Sequence, residues 1–142
     1  MHPEAADHLE RELAVLLRRS RAISRETART VHPELEPEAY SLLVRLGDVG
    51  EARPSDLAAF FGIGKPTLSR QVQLLENLGL VERTADPTDG RAVRLRMSAL
   101  GTEKVDAART ARRERLYARL QDWSEEDMTQ LATLVARLNS QL

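Results

Sequence analysis

The chain has 142 residues, 21 basic against 22 acidic side chains, a formal net charge of −1 and a hydrophobic content of 42%. That length suits one domain, residues 1–142, and the composition supports a buried core rather than disorder. The absence of cysteine excludes a disulfide framework, a thiolate metal site, a cysteine nucleophile and a thiol redox sensor. No apolar run approaches the roughly 20 residues of a membrane span and no signal-peptide core opens the chain, so a cytoplasmic location is the default expectation.

Leu9, Leu13, Leu16, Leu17 and Ile23 follow helical spacing and predict a first helix from about Glu4 to Thr30. His32-Pro33 and Glu36-Pro37 end it, and Pro37 suits the first residue of a second helix, "PEAYSLLVRLGDVG", which stops at Gly47 or Gly50. Pro54 starts a short third helix, "PSDLAAFFG", ending at Gly62. After "GIG", a fourth helix, "KPTLSRQVQLLENLG", gathers Leu68, Val72, Leu75 and Leu78 on one face, with Gly79 as its C-terminal cap.

The period then changes. "LVERTA" and "AVRLRMS" read as two strands around the turn "DPTDG", the second with Val93, Leu95 and Met97 inward and Arg94 and Arg96 outward. A helix resumes near Ala99 and runs to about Gln121. Ser124 and Asp127 then have the spacing of an N-terminal cap for a last helix carrying Leu131, Leu134, Val135 and Leu138. The expected fold class is mainly α with a small β-hairpin.

A short helix, a tight turn and a second helix form a helix-turn-helix, and a hairpin directly after it forms the winged version. A helix that reads DNA must lock one face onto its neighbour and offer hydrogen-bonding side chains on the other. Here the outward positions are Lys65, Pro66, Thr67, Ser69, Arg70, Gln71 and Gln73, with no carboxylate before Glu76. An ordinary solvated face would look similar, so the hairpin carries the added weight: Arg91 near its tip suits the minor groove, where negative potential concentrates. Asp89 is expected to hold the Arg91 guanidinium by a charge-assisted hydrogen bond. Charge distribution agrees weakly, with seven basic and five acidic side chains over residues 53–96 against seven and ten over residues 1–52.

"DLAAFFGIGKPTLSRQVQLLENLGLVERTADPTDGRAVRLRMSALG" resembles the core of the MarR family of bacterial transcription regulators. The features that carry the resemblance are "T-x-S-R" on the fourth helix, "LE-x-x-GLVER" leading into the hairpin, and "DP-x-D-x-R" followed by an alternating strand and "S-x-x-G". The resemblance implies a winged helix-turn-helix lobe at residues 37–98, with segments 1–36 and 99–142 as dimerisation helices. It places Thr67, Ser69, Arg70 and Gln71 in the major groove of double-stranded DNA, and Asp89 with Arg91 at the wing tip. Gly64 departs from the serine or threonine that often caps the recognition helix, and Pro66 in the first turn compensates with its rigid φ.

The expected function is a sequence-specific DNA-binding regulator, a homodimeric repressor of a pseudo-palindromic operator. The alternative is a winged-helix protein-interaction module that does not touch DNA, for which Arg70 and Arg91 would be expendable. Leu9, Leu13, Leu116, Leu120, Leu131 and Leu138 exceed what one lobe covers and favour a dimer. The resemblance also implies release by a small aromatic or anionic effector, for which Tyr40, Arg45 and Trp123 are the candidate contacts. No enzyme, metal site or cofactor is expected: His2, His8 and His32 all lie in the first 32 residues without ligand-like spacing.

Overall fold

Proline stands in the first turn of each of the first four helices. There its missing N–H costs nothing, because first-turn amides have no intrahelical acceptor. The computed structural model describes residues 2–142. Its elements are α1 (Pro3–Val31), α2 (Pro37–Val49), β1 (Glu51–Ala52), α3 (Pro54–Phe61), α4 (Lys65–Asn77), β2 (Val81–Ala85), β3 (Val93–Met97), α5 (Ala99–Arg119) and α6 (Glu125–Asn139). All six helices stand where the sequence predicts them. No helix among the described residues is long and apolar enough to cross a membrane.

The chain divides into two compact units at residues 109 and 110, within α5. The first unit holds the buried core. Leu42, Leu43 and Leu46 of α2 meet Leu57 of α3, Leu68, Val72 and Leu75 of α4, and Leu95 of β3. Ala28 and Val31 at the end of α1, and Val105 and Ala108 of α5, belong to the same cluster. The core therefore draws on both segments that the resemblance assigns to dimerisation, and extends beyond residues 37–98.

The sheet has three antiparallel strands in the order β1-β3-β2. The two-residue β1, pairing Glu51 with Arg96 and Ala52 with Leu95, is absent from the sequence expectation because two residues show no alternation. The hairpin loop spans residues 86–92, wider than the five residues "DPTDG", since pairing ends at Ala85 and Val93.

Gly79 takes φ +73° just past α4, a left-handed conformation that glycine adopts without a Cβ penalty. The "S-x-x-G" motif has a packing cause. Ser98 Oγ donates to the Gly79 carbonyl at 2.6 Å and accepts the Gly101 N–H at 3.0 Å, so it caps α5 while tying it to the end of α4. A Cβ at position 101 would collide with the Leu80 carbonyl oxygen and the Met97 side chain.

The second unit, residues 110–142, contains the end of α5 and all of α6. Ser124 Oγ accepts the Asp127 N–H at 3.0 Å, the cap expected from the sequence. No residue of α6 is buried in the single chain, although Met128, Leu131, Leu134 and Val135 form a helical stripe.

Candidate nucleic-acid interface

Gly62, in the left-handed region, ends α3, and α4 begins three residues later. Leu68, Val72 and Leu75 lock α4 into the core. That anchoring turns Lys65, Pro66, Ser69, Arg70 and Gln73 to solvent and leaves Thr67 and Gln71 half-buried. The seven predicted positions of α4 thus share one helix, five of them exposed. The helix has no side-chain N-cap, in keeping with Gly64 at that position.

Interactions along this face are few. Arg70 Nη2 reaches Thr67 Oγ1 at 3.5 Å, and Gln73 donates to Asn77 Oδ1 at 2.9 Å. Among the described residues no carboxylate pairs with Lys65 or Arg70.

The wing is organised by Asp86, whose side chain is fully buried. Its Oδ1 accepts the Thr88 N–H at 2.9 Å and the Thr88 hydroxyl at 2.7 Å. Its Oδ2 accepts Arg53 Nε at 2.7 Å and Arg94 Nε at 3.4 Å. Arg53 also donates from Nη2 to Thr88 Oγ1 at 3.1 Å. The Thr88 amide first, then Arg53 and the Thr88 hydroxyl, hold the Asp86 carboxyl well below the usual carboxylate range. Asp86 in turn raises the Arg53 guanidinium above its ordinary value. Arg53 precedes α3, so this network fastens the base of the wing to the start of the helix-turn-helix.

At the tip, Asp89 acts differently from expectation. Its Oδ1 accepts the backbone N–H of Arg91 at 3.1 Å, an aspartate turn two residues long, and does not hold the guanidinium. The short side chain satisfies the nearest amide of its own loop, which leaves the Arg91 guanidinium without a partner among the described residues.

The seven cations of residues 53–96 therefore fall into two sets. Arg53 and Arg94 meet Asp86; Arg83 meets Glu76 at 2.8 Å; Arg96 meets Glu82 at 3.1 Å, its cross-strand neighbour. The hydrogen bond it donates to the Glu76 carboxylate raises the Arg83 guanidinium above its ordinary value. Lys65, Arg70 and Arg91 have no carboxylate partner among the described residues. The sequence pointed to those three but not to Arg53 or Asp86, which lie 33 positions apart and share no spacing rule. The remaining signals were local: an arginine before the proline of α3, and an aspartate opening the turn.

The candidate effector residues lie in two units. Tyr40 is packed in the lobe core at 8% exposure, and the Arg45 guanidinium sits 3.8 Å from the centre of the Phe60 ring. Trp123, in the second unit, borders an open groove with Leu131 and Leu134. His8 Nε2 lies 3.9 Å from Glu12 on the surface of α1. No cluster of three metal-ligating side chains occurs among the described residues.

Residues 34–92 match the profile of the MarR family. Over 131 residues the chain is 34% identical to YxaD of Bacillus subtilis, an uncharacterized HTH-type transcriptional regulator, covering 92% of this chain and 90% of that one. It is 39% identical over 80 residues to the HTH-type transcriptional regulator MT0903.1 of Mycobacterium tuberculosis, 56% of either chain. A MarR family protein from Bacillus stearothermophilus shares the fold at a TM-score of 0.87 and 20% identity, with 99% of this chain and 97% of that chain covered. Wild-type apo MarR from E. coli does so at 0.76 and 16%, covering 92% and 95%.

Proposed function

The chain belongs to the MarR family of helix-turn-helix transcriptional regulators, and from that premise we propose that it is a homodimeric repressor that binds a pseudo-palindromic operator. The observation that carries the reading is the split among its cations. Four arginines of the lobe are matched to carboxylates, whereas Lys65, Arg70 and Arg91 are left open on the outward side of α4 and on the wing tip. Unmatched cations in a chain of nearly neutral charge suit phosphates and base edges, which supply the missing partners. Arg70, Gln71, Thr67 and Ser69 read the major groove; Arg91 enters the minor groove; Lys65 and the first turn of α4 face phosphate.

The second unit supports the dimer. Leu131, Leu134 and Val135 are each between 42% and 55% exposed in the single chain, an apolar stripe that a second copy covers. A twofold dimer sets its two recognition helices one helical turn of DNA apart, roughly 34–36 Å. Occupying a promoter blocks polymerase without further machinery, hence repression. Release by a small aromatic or anionic effector completes the reading and rests on the family alone; titrating phenolic acids into the protein–DNA complex tests it.

The decisive experiment selects bound fragments of the source genome at two salt concentrations, with wild type and Arg91→Ala in parallel. Salt-sensitive enrichment of one pseudo-palindrome, weakened by the substitution, is the expected result. Equal binding by both proteins would remove the wing from the interface. No binding by either at low salt would favour a protein-interaction module.

A further inference from the structure

A cleft of about 380 Å³ opens between the first turn of α3, α4 and the start of β3. Arg53, Ser55, Lys65 and Ser69 supply its polar lining, and Leu68 and Val93 its apolar side. No carboxylate among the described residues lines it. We infer that this cleft seats one sugar–phosphate unit of the DNA backbone in each half-site, with Arg53 and Lys65 on the phosphate and the apolar wall against the deoxyribose. The inference rests on the DNA-binding reading above and adds a residue, Arg53, that lies outside the recognition helix and the wing tip.

Three observations support a backbone unit as the occupant. First, the lining joins two cations to a hydrocarbon wall, as a DNA strand joins anionic phosphate to weakly polar sugar. Second, Lys65 and Ser69 line the cleft and also belong to the outward face of α4, so the cleft continues that face. Third, Arg53 is held in place before any ligand arrives. Asp86 takes its Nε at 2.7 Å and Thr88 takes its Nη2 at 3.1 Å, while Nη1 makes no hydrogen bond among the described residues and the side chain keeps 43% exposure. An arginine already fixed loses little side-chain entropy on binding phosphate. Asp86 cancels much of its net charge, and Lys65, without a carboxylate partner, restores the positive balance the phosphate needs.

Ser55 supplies a clean probe. It is exposed in the first turn of α3, where an added carboxylate favours the helix. Ser55→Glu therefore keeps the fold and places an anion in the cleft; Ser55→Gln is the neutral control. Thermal melting verifies both. With the operator found above, Ser55→Glu is expected to weaken binding roughly tenfold or more, to nearly the same degree on operator and random DNA, and Ser55→Gln only slightly. Methylphosphonate scanning of the operator should identify one phosphate per half-site whose neutralisation weakens wild type but not Ser55→Glu.

Undiminished operator binding by Ser55→Glu would overturn the inference while leaving the DNA-binding reading intact. So would a loss of benzoate binding, measured by calorimetry, in Ser55→Glu with DNA affinity retained, which would make the cleft a small-molecule pocket. Failure of wild type to bind any DNA would overturn both readings.

Discussion

The base of the wing and its tip are built from the same residue types and do opposite things with them. At the base, a fully buried aspartate gathers two arginines, a hydroxyl and an amide, and most of the charge is matched within the protein. At the tip, Asp89 is exposed and uses its carboxylate on a backbone N–H, so the neighbouring arginine stays open. A basic residue therefore says little about a polyanion until its carboxylate partners are known. The base fixes where the tip stands; the tip leaves its cation without a carboxylate partner.

The largest expected effect is at the base. Asp86→Ala leaves Arg53 and Arg94 without their shared partner and frees Thr88, so the wing loses its polar link to the start of α3. Thermal melting should show a Tm lower by roughly 5 °C or more, and operator affinity should fall at the same time. A normal Tm in this variant would mean the network is dispensable. Acid titration sharpens the point. The folded-state pKa of Asp86 is depressed, so its contribution is complete above its unfolded value of about 3.9. The contribution declines as pH falls below that value and is gone below the folded pKa. Between roughly pH 5 and pH 2, wild type should therefore lose more stability than Asp86→Asn.

On the outward face of α4 the expected effects pass to binding alone. Arg70→Ala should weaken the operator complex by about 10- to 100-fold and random DNA far less, with Tm unchanged, because a base-edge interaction discriminates by about 1–3 kcal/mol. An equal loss on both DNAs would reassign Arg70 to phosphate. For Arg91→Ala the expected loss is smaller, about 3- to 10-fold. The slope of log affinity against log salt should become shallower by about 0.9 for each phosphate that the variant no longer neutralises.

The smallest effect belongs to a paired arginine on the sheet surface. Arg96 and Glu82 are 50% and 49% exposed, and such a pair contributes about 0–1 kcal/mol. Arg96→Ala should leave Tm and operator affinity within experimental error. A clear loss of DNA binding there would blur the division between matched and open cations.

Much of this was legible in the chain because it is local. Helical spacing, the prolines of the first turns, and glycines at the ends of α3 and α4 mark the helices without reference to anything distant. The outward residues of α4 were legible for the same reason, since Leu68, Val72 and Leu75 determine which side faces out. β1 was not, being two residues long and stabilised only by its pairing with β3. Nor was the role of Asp89, where the choice between a guanidinium and a backbone amide depends on the shape of the loop.

The sequence by itself determined the order of the helices and the hairpin, the winged helix-turn-helix, and which cations belong to α4 and the wing, because periodicity and turn chemistry act over a few residues. Only the tertiary structure decided which of those cations are already matched. Arg53 meets Asp86 across 33 positions and Arg94 meets it across eight, contacts that exist once β3 pairs with β2 and α3 packs on α4. Electrostatic partners are chosen by distance in space, and the fold alone sets that distance.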